Sequence, residues 1–142
     1  MRFWLLKSEP ETFGWPDQVA LGERGGEWHG VRNYQARNHM RAMRMGDRAL
    51  FHHSSTKAPA VVGIVEVTAE SHPDSTAGGD PRWDCVDVRA LRPLARPVTL
   101  AAIRAEPRLA GMVLVTNSRL SVQPVTGEEW DIVCALGDTA PR

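Results

Sequence analysis

The sequence is short of cysteine and has no net charge, and these two deficits narrow the function classes. Only two cysteines occur in 142 residues, Cys85 and Cys134. They make no Cys-x-x-Cys pair, and no His/Cys metal spacing accompanies them, so no metal, cofactor or disulfide framework is expected. Both thiols are expected to be reduced and buried, as in a cytosolic protein. Lysine plus arginine and aspartate plus glutamate stand at 17 each. No global field therefore draws the chain onto nucleic acid or membrane, and an anionic partner must be met by a local patch. Long hydrophobic runs are also missing. The N-terminal MRFWLLK is far too short for a signal peptide or a membrane span. A soluble protein with no membrane partner follows, cytoplasmic in a bacterium or nucleocytoplasmic in a eukaryote. No Gly-x-Gly-x-x-Gly or P-loop pattern follows a strand, and no Gly-x-Ser-x-Gly elbow occurs.

What the chain does have is concentrated in His29–Ser55, which reads HGVRNYQARNHMRAMRMGDRALFHHSS. Five arginines lie between Arg32 and Arg48 against one acid, Asp47. Four of the five histidines fall between His29 and His53, and Tyr34 is the only tyrosine. Amides, an aromatic ring and guanidinium groups crowd together in a chain that is otherwise neutral. That concentration points to recognition of a nucleotide, with the remaining chain holding the segment in place.

The pattern around it is that of one mixed domain over residues 1–138, with a frayed tail at 139–142. Phe3–Lys7 reads as a central strand ended by Pro10. Pro16 opens a short helix that Gly22 closes, and Gly22–Gly30 is a loop. Ala36, Met40 and Met43 make one apolar helical stripe, with Arg37, Arg41 and Arg44 as a parallel basic ridge beside it. Gly46 is the expected C-cap. Ala49–His53 alternates as a strand, and Ala60–Val67 is another. His72–Pro81 reads as a surface loop, and Val86–Ala90 as a half-buried strand stopped by Pro93 and Pro97. Thr99 caps a short helix to Ala105, Leu120–Gln123 alternates as a strand, and Thr126-Gly-Glu-Glu129 is a capping box for a last helix. Short strands punctuated by glycine and proline suit a small barrel better than a doubly wound sheet.

Several residues have chemistry to offer. The carboxamides of Asn33 and Gln35 carry one acceptor and two donors in a plane, which matches a base edge, although Asn33 also suits helix capping. Trp28, in a glycine-rich loop, is the candidate stacking ring, while Trp4 and Trp130 suit the core. Lys7, Ser8 and Glu9 stand at a strand end, where side chains converge on a pocket mouth. Arg32, Arg37, Arg41 and Arg44, with Lys7, suit phosphate contacts. His53 shares a face with Ala49 and Phe51 and could line an interior pocket. Adjacent Ser54 and His53 point to opposite faces of a strand, which argues against a nucleophile–base pair.

The runs Trp4–Pro10, Trp28–Asn38, Met45–Asp47, Phe51–Ser54 and Arg119–Val125 resemble the EVE domain family, in the family's order over nearly the whole chain. The resemblance implies an α+β, PUA-like fold, a small pseudo-barrel flanked by short helices, related to the YTH and ASCH domains. It implies a non-enzymatic reader of one extruded, modified base, modified cytosine foremost, in DNA or RNA. Carried over by motif, the base pocket comprises Ser8, Trp28, Asn33, Tyr34, Gln35, His53 and Ser54, with Leu120 and Ser121 from the closing strand. A monomer with nucleic acid as its partner is expected. Two rival readings are an enzyme acting on a modified nucleotide, with His53 or Glu9 as acid or base, and a scaffold whose arginine ridge meets an acidic protein.

Overall fold

The computed structural model describes all 142 residues. Six strands form one mixed sheet: β1 (Phe3–Ser8), β2 (Gly26–Glu27), β3 (Arg48–His53), β4 (Ala60–Pro73), β5 (Asp84–Thr99) and β6 (Val122–Val125). Their order is β2-β5-β4-β3-β1-β6. Only β1 and β3 run parallel; the other neighbours are antiparallel. The sheet is not a closed barrel, since β2 and β6 remain its edges. Four register irregularities interrupt the β4–β5 ladder. Extra residues of this kind bend a strand and increase its twist.

Six short helices surround the sheet: α1 (Pro10–Phe13), α2 (Trp15–Ala20), α3 (Tyr34–Ala42), α4 (Leu100–Ala105), α5 (Val113–Thr116) and α6 (Gly127–Leu136). Successive strand residues point to opposite faces, and here both faces are buried. Trp4, Leu6, Ala49 and Phe51 join one core with Ala36, Met40 and Met43. Leu5 and Leu50 join a second, with Ile103, Leu114, Trp130 and Val133. The two-sided burial explains why β1 reads as a continuous apolar run rather than an alternation.

Asn33 caps α3 by accepting from the Ala36 N–H, and Thr99 and the Thr126/Glu129 box cap α4 and α6. The helix ends earlier than Gly46: Met43 is already extended, and Gly46 makes the left-handed turn into β3 at φ 89°. The prolines do not stop β5, which runs through both. Pro97 falls where β4 advances from Val61 to Gly63 while β5 spans Val98 to Pro93, a bulged stretch that requires fewer ladder bonds. The expected loop at His72 begins two residues later, after Pro73, and Leu120 precedes β6 rather than belonging to it. The tail expected to fray makes specific contacts. Trp130 Nε1 donates to the Pro141 carbonyl, and Arg142 pairs with Asp131. No helix is long and apolar enough to cross a membrane.

Candidate functional site

A cavity of about 570 Å³ opens where β1 ends. Lys7, Ser8 and Glu9 form one side, Thr12 and Phe13 of α1 a second, and Glu27–Arg32 a third, with Ser121 closing the rim. Each wall has a local cause. Ser8 Oγ donates to the Phe13 carbonyl at 2.5 Å, which folds α1 back over the strand end. The Trp28 N–H donates to the Val86 carbonyl, so the chain leaves β2 still tied to β5. Ser121 accepts the Lys7 N–H through its carbonyl, which carries the β1–β6 pairing up to the rim.

The floor is aromatic. Trp28 meets Phe51 edge-on, with centroids 5.4 Å apart at 88°, and meets Phe13 the same way at 6.2 Å. Trp15 packs edge-on against Phe51 as well and lies across Gly63, where a Cβ would sit 2.4 Å from its ring. Any side chain at position 63 would therefore dislodge Trp15. Edge-to-face pairs each add about 0.5–1.5 kcal/mol beyond burial. Trp28 is 8% exposed, so it is a pinned part of the floor rather than a free-standing platform.

Asp74 holds the third wall. Its carboxylate accepts from the Gly30 N–H at 2.7 Å, from Arg32 at 3.1 Å, and from the Thr76 N–H and hydroxyl. Burial pushes its pKa up, but these donors outweigh burial and hold it at about 2. Gly30 adopts φ 85°, the left-handed region that favours glycine, and this turn aims its N–H at Asp74. Lys7 Nζ donates to the Ser118 carbonyl, and burial, then Arg104, lowers its pKa. The cavity thus sets an ammonium and a guanidinium beside two carboxylates and several hydroxyls over an aromatic floor. It can hold a planar heterocycle by its faces and its polar edges.

Of the residues expected in a base pocket, Ser8, Trp28 and Ser121 line this cavity, with Lys7, Glu9 and Arg32 beside them. The others lie elsewhere. Asn33 is engaged in capping, and Gln35 is exposed on α3. Tyr34 is 51% exposed and stacks on Trp83 at 5.0 Å, outside the cavity. His53 Nε2 accepts from the Trp15 N–H, and burial lowers its pKa. His53 sits behind Phe51 and Trp15 rather than on the cavity wall. Ser54 and Leu120 flank the cavity without lining it; the Ser54 N–H donates to the Ser8 carbonyl. The arginine ridge meets acids: Arg41 pairs with Asp84 at 2.5 Å and Arg44 with Glu70 at 3.9 Å. Arg37 lies over the Tyr34 ring at 4.8 Å and donates to the Arg82 carbonyl. Sequence reasoning missed Asp74, Glu27 and Phe13. For Asp74 a signal was present, since Asp-Ser-Thr is a turn-capping pattern.

The fold is that of a PUA-like domain. The EVE domain model matches residues 2–136, and the chain belongs to that family. Thymocyte nuclear protein 1 of Mus musculus is 37% identical and is matched over 98% of this chain and 75% of its own length. The structure of protein Atu2648 from Agrobacterium tumefaciens superposes with a TM-score of 0.96 at 57% identity, over 99% of this chain and 95% of that one. Human THYN1, solved in complex with 5-methylcytosine containing DNA, superposes at 0.89 with 36% identity over 99% and 100%. A YTH domain of Zygosaccharomyces rouxii shares the fold, at a TM-score of 0.58 and 17% identity over 96% and 86%.

Proposed function

We propose that this protein is a non-enzymatic reader of a modified base, cytosine foremost, which enters the cavity after leaving its stack in DNA or RNA. The observation that carries the reading is the cavity itself, with its aromatic floor and mixed charged rim, in a chain similar throughout to a protein solved with 5-methylcytosine containing DNA. Cytosine offers an amino donor beside acceptors. Carboxylates at Glu9 or Glu27 and the lone pairs of Ser8 Oγ suit the amino group, while Lys7, Arg32 and the Ser121 hydroxyl suit the acceptors and the phosphate. Trp28 and Phe13 supply the apolar contact for ring and modification. Asn33, Tyr34, Gln35, His53, Ser54 and Leu120 support the site from outside: Asn33 sets the start of α3, and His53 fixes Trp15. Arg37 and Arg41 on α3, with Arg44 just past its end, offer guanidinium groups to the strand backbone. His53 favours a structural role over acid–base work, because its Nε2 already accepts a backbone N–H.

The test is a binding screen over matched DNA and RNA oligonucleotides with and without modified cytosine. Preference for one modified strand, lost when bulk is added at the rim by Ser121→Trp, supports the reading. Equal affinity for modified and unmodified strands, or a preference that survives Ser121→Trp in a folded variant, overturns it.

A further inference from the structure

Along the third wall of the cavity, three strands bring together Glu27 and two side chains that the base-binding reading does not use. Glu27 ends β2, His72 lies near the end of β4 and Cys85 near the start of β5. Their ligand atoms all lie within 4.8 Å of one another. Cys85 Sγ is 3.5 Å from Glu27 Oε1, 3.8 Å from His72 Nε2 and 3.9 Å from His72 Nδ1. Bond lengths of roughly 2.0–2.3 Å to tetrahedral zinc place two ligand atoms roughly 3.3–3.8 Å apart. The sulfur already stands at about that spacing from Glu27 and from His72.

We propose that Cys85, His72 and Glu27 form a divalent transition-metal site of the zinc class, with the fourth position open to solvent. A thiolate, an imidazole and a carboxylate together select a borderline-soft ion over calcium or magnesium. His72 Nε2 hydrogen-bonds Asp87 Oδ1 at 2.7 Å. A carboxylate on the far nitrogen of an imidazole is the usual outer partner of a metal-bound histidine, and it leaves Nδ1 as the ligand. The sulfur is nearly equidistant from both ring nitrogens, so the side chain must shift to aim Nδ1 while Nε2 keeps its bond to Asp87. Its side chain is 33% exposed, which leaves room for that shift. The carboxylates of Glu27, beside the sulfur, and Asp87, on the His72 ring, supply negative charge that a divalent cation would neutralise. Binding transfers the thiol proton to solvent and replaces the S–H bond by a sulfur–metal bond. The ion would tie β2 to the end of the β4–β5 hairpin, directly behind Glu27 on the cavity wall.

The experiment uses the full chain stripped with EDTA and titrated with cobalt(II) as a spectroscopic probe, then with zinc in competition. One equivalent of cobalt should produce a thiolate-to-metal charge-transfer band and the intense visible bands of a four-coordinate ion, both removed by zinc. Cys85→Ser should abolish the charge-transfer band, and Asp87→Asn should weaken binding about 10–100-fold. Should Cys85→Ser fail to fold, His72→Ala at the half-exposed position carries the test, with the same loss of stoichiometric binding. A missing charge-transfer band, or binding of unchanged affinity in folded His72→Ala, overturns the assignment.

Discussion

His52 is 1% exposed in β3, and neither ring nitrogen has a hydrogen-bond partner. Burial, then Lys7 and His53, lower its pKa from 6.5 to about 4. The unfolded chain therefore binds the extra proton first, between pH 6.5 and 4, and stability declines as the solution is acidified through that window. The decline should reach about 3 kcal/mol once the window is crossed. Urea denaturation at pH 7 and pH 4.5 measures it, and His52→Leu should flatten the slope; parallel slopes in the two proteins would contradict the account. Asp74 carries a different kind of weight, because one buried carboxylate holds Gly30, Arg32 and Thr76 together. Asp74→Ala leaves those donors unpaired. It should cost about 1–3 kcal/mol or more in thermal unfolding and weaken oligonucleotide binding through the released wall. Full stability with full affinity would show that the wall does not need its anchor. Trp28→Ala would open a hole in the floor, at about 3–5 kcal/mol, so Trp28→Phe is the better probe of ring contact with a base.

At the level of elements, much of the architecture was legible because local chemistry and tertiary packing agree. Asn33, Thr99 and Thr126 are capping residues by type, and all three cap. The Ala36, Met40, Met43 stripe is fully buried. The failures over β4 and β5 share a cause: bulges let proline sit inside a strand, and no local pattern announces the length of the hairpin. The tiny strand β2 was illegible for a related reason: two residues pair only because β5 offers an edge. Within the candidate site, the strand end at Ser8, the loop ring Trp28 and the rim residue Ser121 were readable from motif. Asn33 and His53 belong to the same motif; that Asn33 caps α3 and His53 accepts from the Trp15 N–H depends on which neighbour each side chain meets. The ridge along α3 allows a prediction at this scale. Arg37→Ala should weaken modified and unmodified strands alike and lower the salt slope by about one. Arg41 is already paired with Asp84, so Arg41→Ala should change the slope less. A shift in base preference with an unchanged slope would contradict a backbone role for the ridge.

The whole molecule is neutral, so it has no large field with which to hold a duplex or force it open. A base edge can be read in the cavity only when pairing does not occupy it, and extrusion from a duplex costs a few kcal/mol. Contacts in the cavity and the local arginines must offset that cost. A buried methyl group adds roughly 0.8 kcal/mol, or about fourfold in affinity, so discrimination per methyl should be modest. Mismatched, bulged or single-stranded targets should bind more tightly than paired ones. Fluorescence from 2-aminopurine placed beside the modified base, titrated with protein, tests the central claim most directly. Emission should rise in step with binding, more for the modified strand, and the rise should be lost in Ser121→Trp. Tight, modification-dependent binding to duplex with no change in emission would contradict it.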